Sequence, residues 1–435
     1  MISMKFTLPR GMRDIEPEEM DRREYVFSVI KEILNKYNFQ FVEPSMIENL
    51  ETLTAKSGPE IEKEIYFFKD KGDRKIALRF DLTVGLSRFI SSRNMPQPTK
   101  IACISNMFRY DEPQYGRYRS FYQWDAEIFG AKGIEADAEI ISLTSDILEK
   151  LGLDFEIRIN SRKYVEGLLL ENGVKQKDLL SVLRIIDKIS KLTKEEIKKE
   201  FKKVGLKEKE TENILEICNY KGKNIPKPEG KNKLLLEGYE ELSQLSSLLK
   251  KMNKFDKCVF DFSIVRGIDY YNGIVYEAWI KNEREQVDAK GVKQLGAVAG
   301  GGRYDDLLAI YGKSMPATGI AGGIERLLLS LKDKEIKKNP GVQVIFVNEK
   351  VFDKALEITE KLRKFIPTDI DLNKRNFSNQ LKYANSRKIP FVVIVGEKEL
   401  QEKSVKLRDM ETGKETSVSL TNLEDIASLV QDKLK

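Results

Sequence analysis

The 435-residue chain contains no histidine. That absence excludes Ser-His-Asp and Cys-His hydrolases, His-ligated zinc and every imidazole general base. Cysteine is nearly as scarce: Cys103, Cys218 and Cys258 have no paired spacing, which reads as reduced, buried thiols and not as a disulfide or zinc framework. No apolar run approaches the roughly 18 residues of a membrane helix, and the start, MISMKFTLPRG, lacks the apolar stretch of a secretory signal. The expectation is a cytoplasmic protein without membrane contact. Any enzyme built this way needs a nucleophile already ionised near neutral pH, or arginines, carboxylates and metal ions.

What is present is a chain that is 41% hydrophobic and 33% charged, with a net charge of +6. Its length suggests about three domains. The positive excess sits in one place: residues 172–257 hold 21 basic and 14 acidic residues, a net +7, leaving the remainder at −1. Residues 18–36 carry Met20, Val26, Phe27, Ile30, Ile33 and Leu34 at helical spacing behind Pro17. FQFVEP ends in Pro44, which suits a strand end or sheet edge. Residues 101–130 predict two antiparallel strands around a polar loop, and in the second arm Phe121, Gln123, Asp125 and Glu127 share one face by the period of two. A helix is expected over 136–151, and the lysine-rich 172–257 reads as a helical insertion. CVFDFSIV and, past the Asn272-Gly273 turn signal, GIVYEAWI imply further antiparallel sheet. Beyond the charged run from 332, VQVIFV, a helix over 352–364 and PFVVIVG alternate as an α/β module, with strands apolar on both faces.

Two phosphate motifs are dismissed. Gly312-Lys313-Ser314 resembles a P-loop end, but Leu307 stands where the earlier glycine is required; GGGR at 300–303 lacks the third glycine of a dinucleotide fold. Three other segments carry chemistry. Arg109, Asp111, Glu112, Arg117, Arg119 and Phe121 fit a nucleotide, since guanidinium forks bind phosphate and an aromatic face stacks on a base, or equally a solvated basic hairpin. SIVRGIDYYNG places Arg266 at a strand end, either for a ligand or in a plain hairpin turn. ATGIAGGIERLLLSL places Arg326 in the first turn of a helix, where a cation opposes the dipole; it either serves an anion or pairs with an acid such as Glu325.

In order, FRYDEP…GRYRSFYQ, VRGIDYYNG, AGGGRYDDL and GIAGGIERLL strongly resemble the histidyl-tRNA synthetase family, nearly end to end. Residues 106–129 look like the second and 319–331 like the third class II synthetase motif, and the region of Pro44 would be the first, a dimer-interface element in the family. The resemblance implies an α+β catalytic domain on an antiparallel sheet (1–171 and 258–331), a helical insertion (172–257), a linker (332–339) and a C-terminal α/β anticodon-binding domain (340–435). It implies ATP and Mg2+, with L-histidine and tRNA(His) as partners in a homodimer. By position, Arg109 would hold the α-phosphate and the amino-acid carboxylate, Phe121 would stack on adenine, and Arg117 and Arg326 would grip the distal phosphates. Asp111, where many relatives have glutamate, would face the adenine. Asp81, Thr83 and Gln123 resemble the set that binds the substrate ammonium, and Glu127 with Tyr271, beside Tyr270, the imidazole socket. Arg266 matches an arginine credited with catalysis and histidine binding. Lys374, Arg375 and Asn376 are expected near RNA, and the +7 insertion near the acceptor arm, unless its lysines are simply solvated. The rival in another class is a non-catalytic synthetase-like regulatory subunit of ATP phosphoribosyltransferase. It usually lacks the C-terminal module and some catalytic residues, whereas Arg266, Arg326 and 340–435 are present here. A second rival, another class II synthetase or an accessory subunit, is opposed by the RGIDYYNG and GGGRYDD pair.

Overall fold

The computed structural model describes residues 7–55, 59–110, 116, 118–189, 192–265, 270–281, 286–288, 291–293, 296–332 and 341–432. The chain divides into two compact units, Met1–Lys334 and Glu335–Lys435. The first is organised by a nine-stranded sheet. In chain order its strands are β1 (Gln40–Phe41), β2 (Thr99–Phe108), β3 (Ser120–Phe129), β4 (Phe155–Ser161), β5 (Lys221–Gly222), β6 (Cys258–Asp261), β7 (Ile274–Ile280), β8 (Ala299–Arg303) and β9 (Ala317–Gly323). They lie side by side as β1-β2-β3-β9-β8-β7-β4-β6-β5.

The hairpin legible in the sequence is β2 and β3, paired antiparallel from Thr99 opposite Phe129 to Phe108 opposite Ser120. FQFVEP contributes β1, an edge strand parallel to β2. The expected antiparallel continuation fails at β6: it pairs parallel with β4, and β4 separates it from β7. A short turn signal cannot encode that, because strand neighbours distant in sequence are chosen by packing and not by the local turn.

Along the chain, α1 (Pro17–Lys36), α2 (Leu82–Ser91), α3 (Glu135–Lys150), α4 (Arg162–Glu171), α5 (Leu179–Ile186), α6 (Lys194–Lys203), α7 (Glu208–Cys218), α8 (Lys233–Lys251) and α9 (Ile324–Ser330) are the longer described helices of the unit, with a short one at Leu50–Thr54. α1 buries Val26, Ile30 and Ile33 with Ile140, Ile141 and Leu148 of α3 and Leu242 and Leu249 of α8 in one apolar cluster on the sheet. The period of 3.6 in each helix supplies the stripe that this requires. The lysine-rich segment does not have a core apart: Val182, Leu183, Ile186, Ile197, Phe201 and Ile214 belong to the same cluster, and β5 forms the sheet's edge. On the other face, Leu82 and Leu86 of α2 pack with Ile101, Cys103 and Met107 of β2. A separate three-stranded sheet orders Ile47–Asn49, Lys75–Leu78 and Phe67–Lys69.

The second unit has β10 (Val342–Phe346), β11 (Thr368–Ile370), β12 (Phe391–Val395), β13 (Ser404–Asp409) and β14 (Glu415–Ser419), in the order β11-β10-β12-β13-β14. β11, β10 and β12 are parallel, while β13 and β14 are antiparallel. Helices α10 (Phe352–Leu362), α11 (Phe377–Ser386) and α12 (Glu424–Asp432) cover it. Val344 and Val393 pack with Ile358 and Ile426 on one side, and Ile345, Val392 and Ile394 with Ala384 on the other. This is why VQVIF and FVVIV are apolar at every position. No described helix is long and apolar enough to cross a membrane.

Candidate active site

A cavity of about 630 Å³ lies over the sheet face that carries Gln123 and Glu127. Asp81, Thr83, Arg109, Phe121, Gln123, Glu127, Tyr270, Tyr271 and Arg326 all line it. The alternation of β3 points Phe121, Gln123, Asp125 and Glu127 to one side, and pairing with β9 sets Gln123 opposite Gly323 and Glu127 opposite Gly319. Glycine is needed here: a Cβ on Gly319 would fall onto the Glu127 carboxylate, and one on Gly301 onto the Gly319 carbonyl. The glycine run that fails as a dinucleotide motif therefore serves as the smooth floor of a sheet.

Arg109 donates from Nε to the Phe80 carbonyl at 2.9 Å, and its guanidinium lies 5.1 Å from the centre of the Phe121 ring. Arg326 donates to the Ala297 carbonyl. Its neighbour Glu325 accepts the Tyr122 N–H at 3.0 Å and pairs with Arg23 of α1 at 3.1 Å, both side chains being buried. One carboxylate so ties β3, between Phe121 and Gln123, to the helix that bears Arg326. Glu325, one acid considered for Arg326, pairs with Arg23. Asp81 caps α2, accepting the Val84 N–H at 2.9 Å.

The acidic end of the cavity is unusual electrostatically. Burial pushes Glu127 up to about 7, opposed by the hydroxyl of Tyr304, which donates to it, and by Asp125 and Thr83. Burial raises Asp125 well above the carboxylate range, and the charges of Glu127 and Asp81 push the same way. Thr83 Oγ1 donates to Asp125 at 3.4 Å. Burial, then the Glu127 charge, holds Tyr304 well above the ordinary phenol range, so it stays a donor. Tyr271 and Tyr270 surround it, with ring centroids 6.2 and 6.0 Å from Tyr304. Gln123 Oε1 and Asp125 Oδ1 are buried without hydrogen-bond partners among the described residues.

The sign of the Glu127 shift gives a pH expectation. A raised carboxyl binds its proton until about pH 7, so an incoming N–H donor finds the ionised acceptor only above that range. Tyr304→Phe removes a group that favours ionisation. The acid limb of kcat/KM for histidine should then move to higher pH, with a loss of about threefold to tenfold at pH 6.5 that recovers in alkali. Because the chain has no histidine, every imidazole NMR signal comes from substrate, and that of the bound form should follow the same titration. An unmoved limb would mean that another group controls it.

The sequence reading missed Tyr304 and the scaffold behind it. Arg303 donates to Asp137 of α3, Nε to Oδ2 at 2.9 Å, and to the Ala131 and Gly133 carbonyls at 3.0 and 2.8 Å. Thr318 donates to Asp137 at 2.7 Å. Burial pushes Asp137 up to about 6 despite Arg303. The RYDD that follows the glycines is thus a brace, with Tyr304 as its tip. Its signal was the clustering of Arg, Tyr and two Asp after a glycine strand, which does not name their partners.

Asp111, Arg117 and Arg266 lie outside the described residues. Lys374, Arg375 and Asn376 sit in the second unit, between β11 and α11. Lys374 Nζ lies over the Phe352 ring, 4.5 Å from its centre, Arg375 pairs with Asp371 at 3.0 Å, and Asn376 caps α11 through the Asn379 N–H at 3.0 Å. Buried Gln380 holds this loop by donating to the Arg375 carbonyl at 2.7 Å while it pairs with both backbone groups of Phe346.

Residues 11–327 match the family model described as Histidyl-tRNA synthetase, and 341–428 that of an Anticodon binding domain. The chain is 39% identical over 429 residues to the histidine–tRNA ligase of Pyrococcus horikoshii, covering 96% of this chain and 97% of that one. It is 38% identical to that of Thermococcus kodakarensis, covering 94% and 95%. The crystal structure of histidyl-tRNA synthetase from Nostoc sp. PCC 7120 shares the fold with a TM-score of 0.84 at 24% identity, over 99% of this chain and 100% of that one. With the model spanning most of the first unit and the ligases spanning nearly the whole chain, the chain belongs to the histidyl-tRNA synthetase family.

Proposed function

We propose that this cavity is where the chain performs the reaction of its family, ligating L-histidine to tRNA(His) at the expense of ATP through a histidyl-adenylate. The observation that carries the reading is the convergence of Arg109, Arg326 and Phe121 with Gln123 and Glu127 around one cavity. Phe121 takes the adenine face, and Arg109 and Arg326 the phosphates. Gln123 Oε1, buried and without a partner among the described residues, accepts the substrate ammonium together with Asp81 and Thr83. Glu127 accepts one imidazole N–H, and Tyr271 beside Tyr270 serves the other ring nitrogen.

No protein base is required. The histidine carboxylate, ionised at neutral pH, attacks the α-phosphorus; the bond to the β-phosphate oxygen breaks and pyrophosphate leaves. Arg109 and Arg266, with Arg117 and Arg326 on the distal phosphates, neutralise the anionic transition state. Asp111 faces the adenine. The tRNA terminal ribose hydroxyl then takes the acyl group and AMP leaves. Mg2+ would arrive on ATP, since that ion is commonly held by substrate phosphates and few carboxylates. It would supply charge neutralisation at the phosphates.

The second unit reads the anticodon, with Lys374, Arg375 and Asn376 near RNA, and the basic 172–257 segment follows the acceptor arm. Exposed Phe41 on the β1 edge, Met46 just before the three-stranded sheet, and Ile47, Phe67 and Phe68 within it support a homodimer. The work is done in the cytoplasm. Histidine-dependent ATP–pyrophosphate exchange tests the reading: exchange that requires histidine supports it, and exchange indifferent to histidine overturns it. A regulatory binding subunit would show none.

A further inference from the structure

The cavity continues beyond the residues given to ATP and histidine. Asp125, Ala321, Gly300, Glu277 and Arg158 are successive cross-strand partners through β3, β9, β8, β7 and β4, and so share one face. Four strand spacings put Arg158 about 19 Å from Asp125. The middle of the row is Ala321 and Gly300, and both line the cavity. They leave a trough that leads from the adenylation site to a second chamber.

That chamber is built around an aromatic plate. Trp279 donates from Nε1 to Glu277 at 2.8 Å, and the Arg158 guanidinium lies 4.1 Å from the centre of its ring. Arg158 is itself braced by Glu156 at 3.1 Å and Asp261 at 3.5 Å. Ile186, Ile189 and Ile264 add apolar surface to the same cavity. A fixed indole backed by a guanidinium suits the flat face of a nucleobase, and single-stranded nucleic acids are held by such stacking. The carboxylates of Asp187 and Glu277 line the same region; they repel a triphosphate and suit the uncharged base and hydroxyls of a nucleoside.

We infer that the Trp279 chamber binds the terminal nucleoside of the tRNA acceptor strand during acyl transfer. This rests on the reading of the cavity as the adenylation site. The second half-reaction has to bring a ribose hydroxyl to the adenylate, so the strand end enters this cavity. Ile186 ends α5, within the lysine-rich segment of net charge +7, so the chamber borders the segment proposed above to follow the acceptor arm. The ATP nucleoside is the other source of the same chemistry, and it is assigned to Phe121.

The test separates the half-reactions. Enzyme carrying preformed histidyl-adenylate is mixed with tRNA(His) and single-turnover transfer is followed; ATP–pyrophosphate exchange is measured in parallel. Trp279→Ala should slow transfer about tenfold or more, with the exchange KM for ATP and for histidine within twofold of the parent. Trp279→Phe should recover most of the rate. Ile189→Trp, at a partly buried position of the cavity lining, should repeat the defect and carries the test if Trp279→Ala folds poorly. Transfer within twofold of the parent in these variants overturns the inference, as does a tenfold rise in the ATP KM, which would place the ATP nucleoside here. Loss of histidine-dependent exchange in the parent would instead strike the adenylation reading.

Discussion

Replacing Arg266 by alanine is expected to lower histidine-dependent ATP–pyrophosphate exchange by about 10²–10³-fold in kcat, with the fold intact by circular dichroism. The reason lies in the charge of the cavity. Its described lining presents three arginines, Arg109, Arg158 and Arg326, against five carboxylates, Asp81, Glu127, Asp187, Glu277 and Glu325. Arg158 is spent on Glu156 and Asp261. A triphosphate and an attacking carboxylate meeting on this surface need further positive charge, the role proposed above for Arg266 and Arg117. The loss should fall on kcat more than on KM, because charge on the transferring phosphoryl group grows toward the transition state. Arg266→Lys should recover only part, since an ammonium cannot reproduce a bidentate fork. Exchange within a factor of a few of the parent would remove Arg266 from the chemistry.

Replacing Glu127 by alanine is expected to lower kcat/KM for histidine by about 10³-fold while the ATP KM changes little. The carboxylate is buried and opposes Gly319, and Tyr304 is committed to it. Its removal leaves the Tyr304 hydroxyl and the substrate N–H both unpaired in a dry site, and such sites discriminate by the cost of unpaired polar groups. Glu127→Gln, which keeps an acceptor and no charge, should fall between. Its activity should also lose the rise with pH near 7, because the group that titrates there is gone. An alanine variant with unchanged selectivity for histidine would place the socket elsewhere.

The parts legible in the sequence are those with a local period. α1, the β2–β3 hairpin and the two-sided strands β10 and β12 follow from spacings of 3.6 and 2 within a few residues. The placing of Phe121, Gln123 and Glu127 on one wall follows from the same rule. Pairings made across long separations were not legible. Tyr304 meets Glu127 over 177 residues, Arg303 meets Asp137 over 166, and Arg23 meets Glu325 over 302. No pattern inside either segment specifies its partner; the sheet order does, and the parallel insertion of β6 beside β4 shows how little a turn signal says about it. The second chamber was invisible for the same reason, since Trp279, Arg158 and Ile186 come from three separate stretches.

In the proposed reaction adenine and imidazole occupy opposite ends of one strand wall, six residues apart on β3. A crystal structure with a non-hydrolysable histidyl-adenylate analogue tests this most directly. The account expects the adenine ring on Phe121 and an imidazole nitrogen within hydrogen-bond distance of Glu127. Rings exchanged between those ends, or an analogue bound away from both, would contradict it.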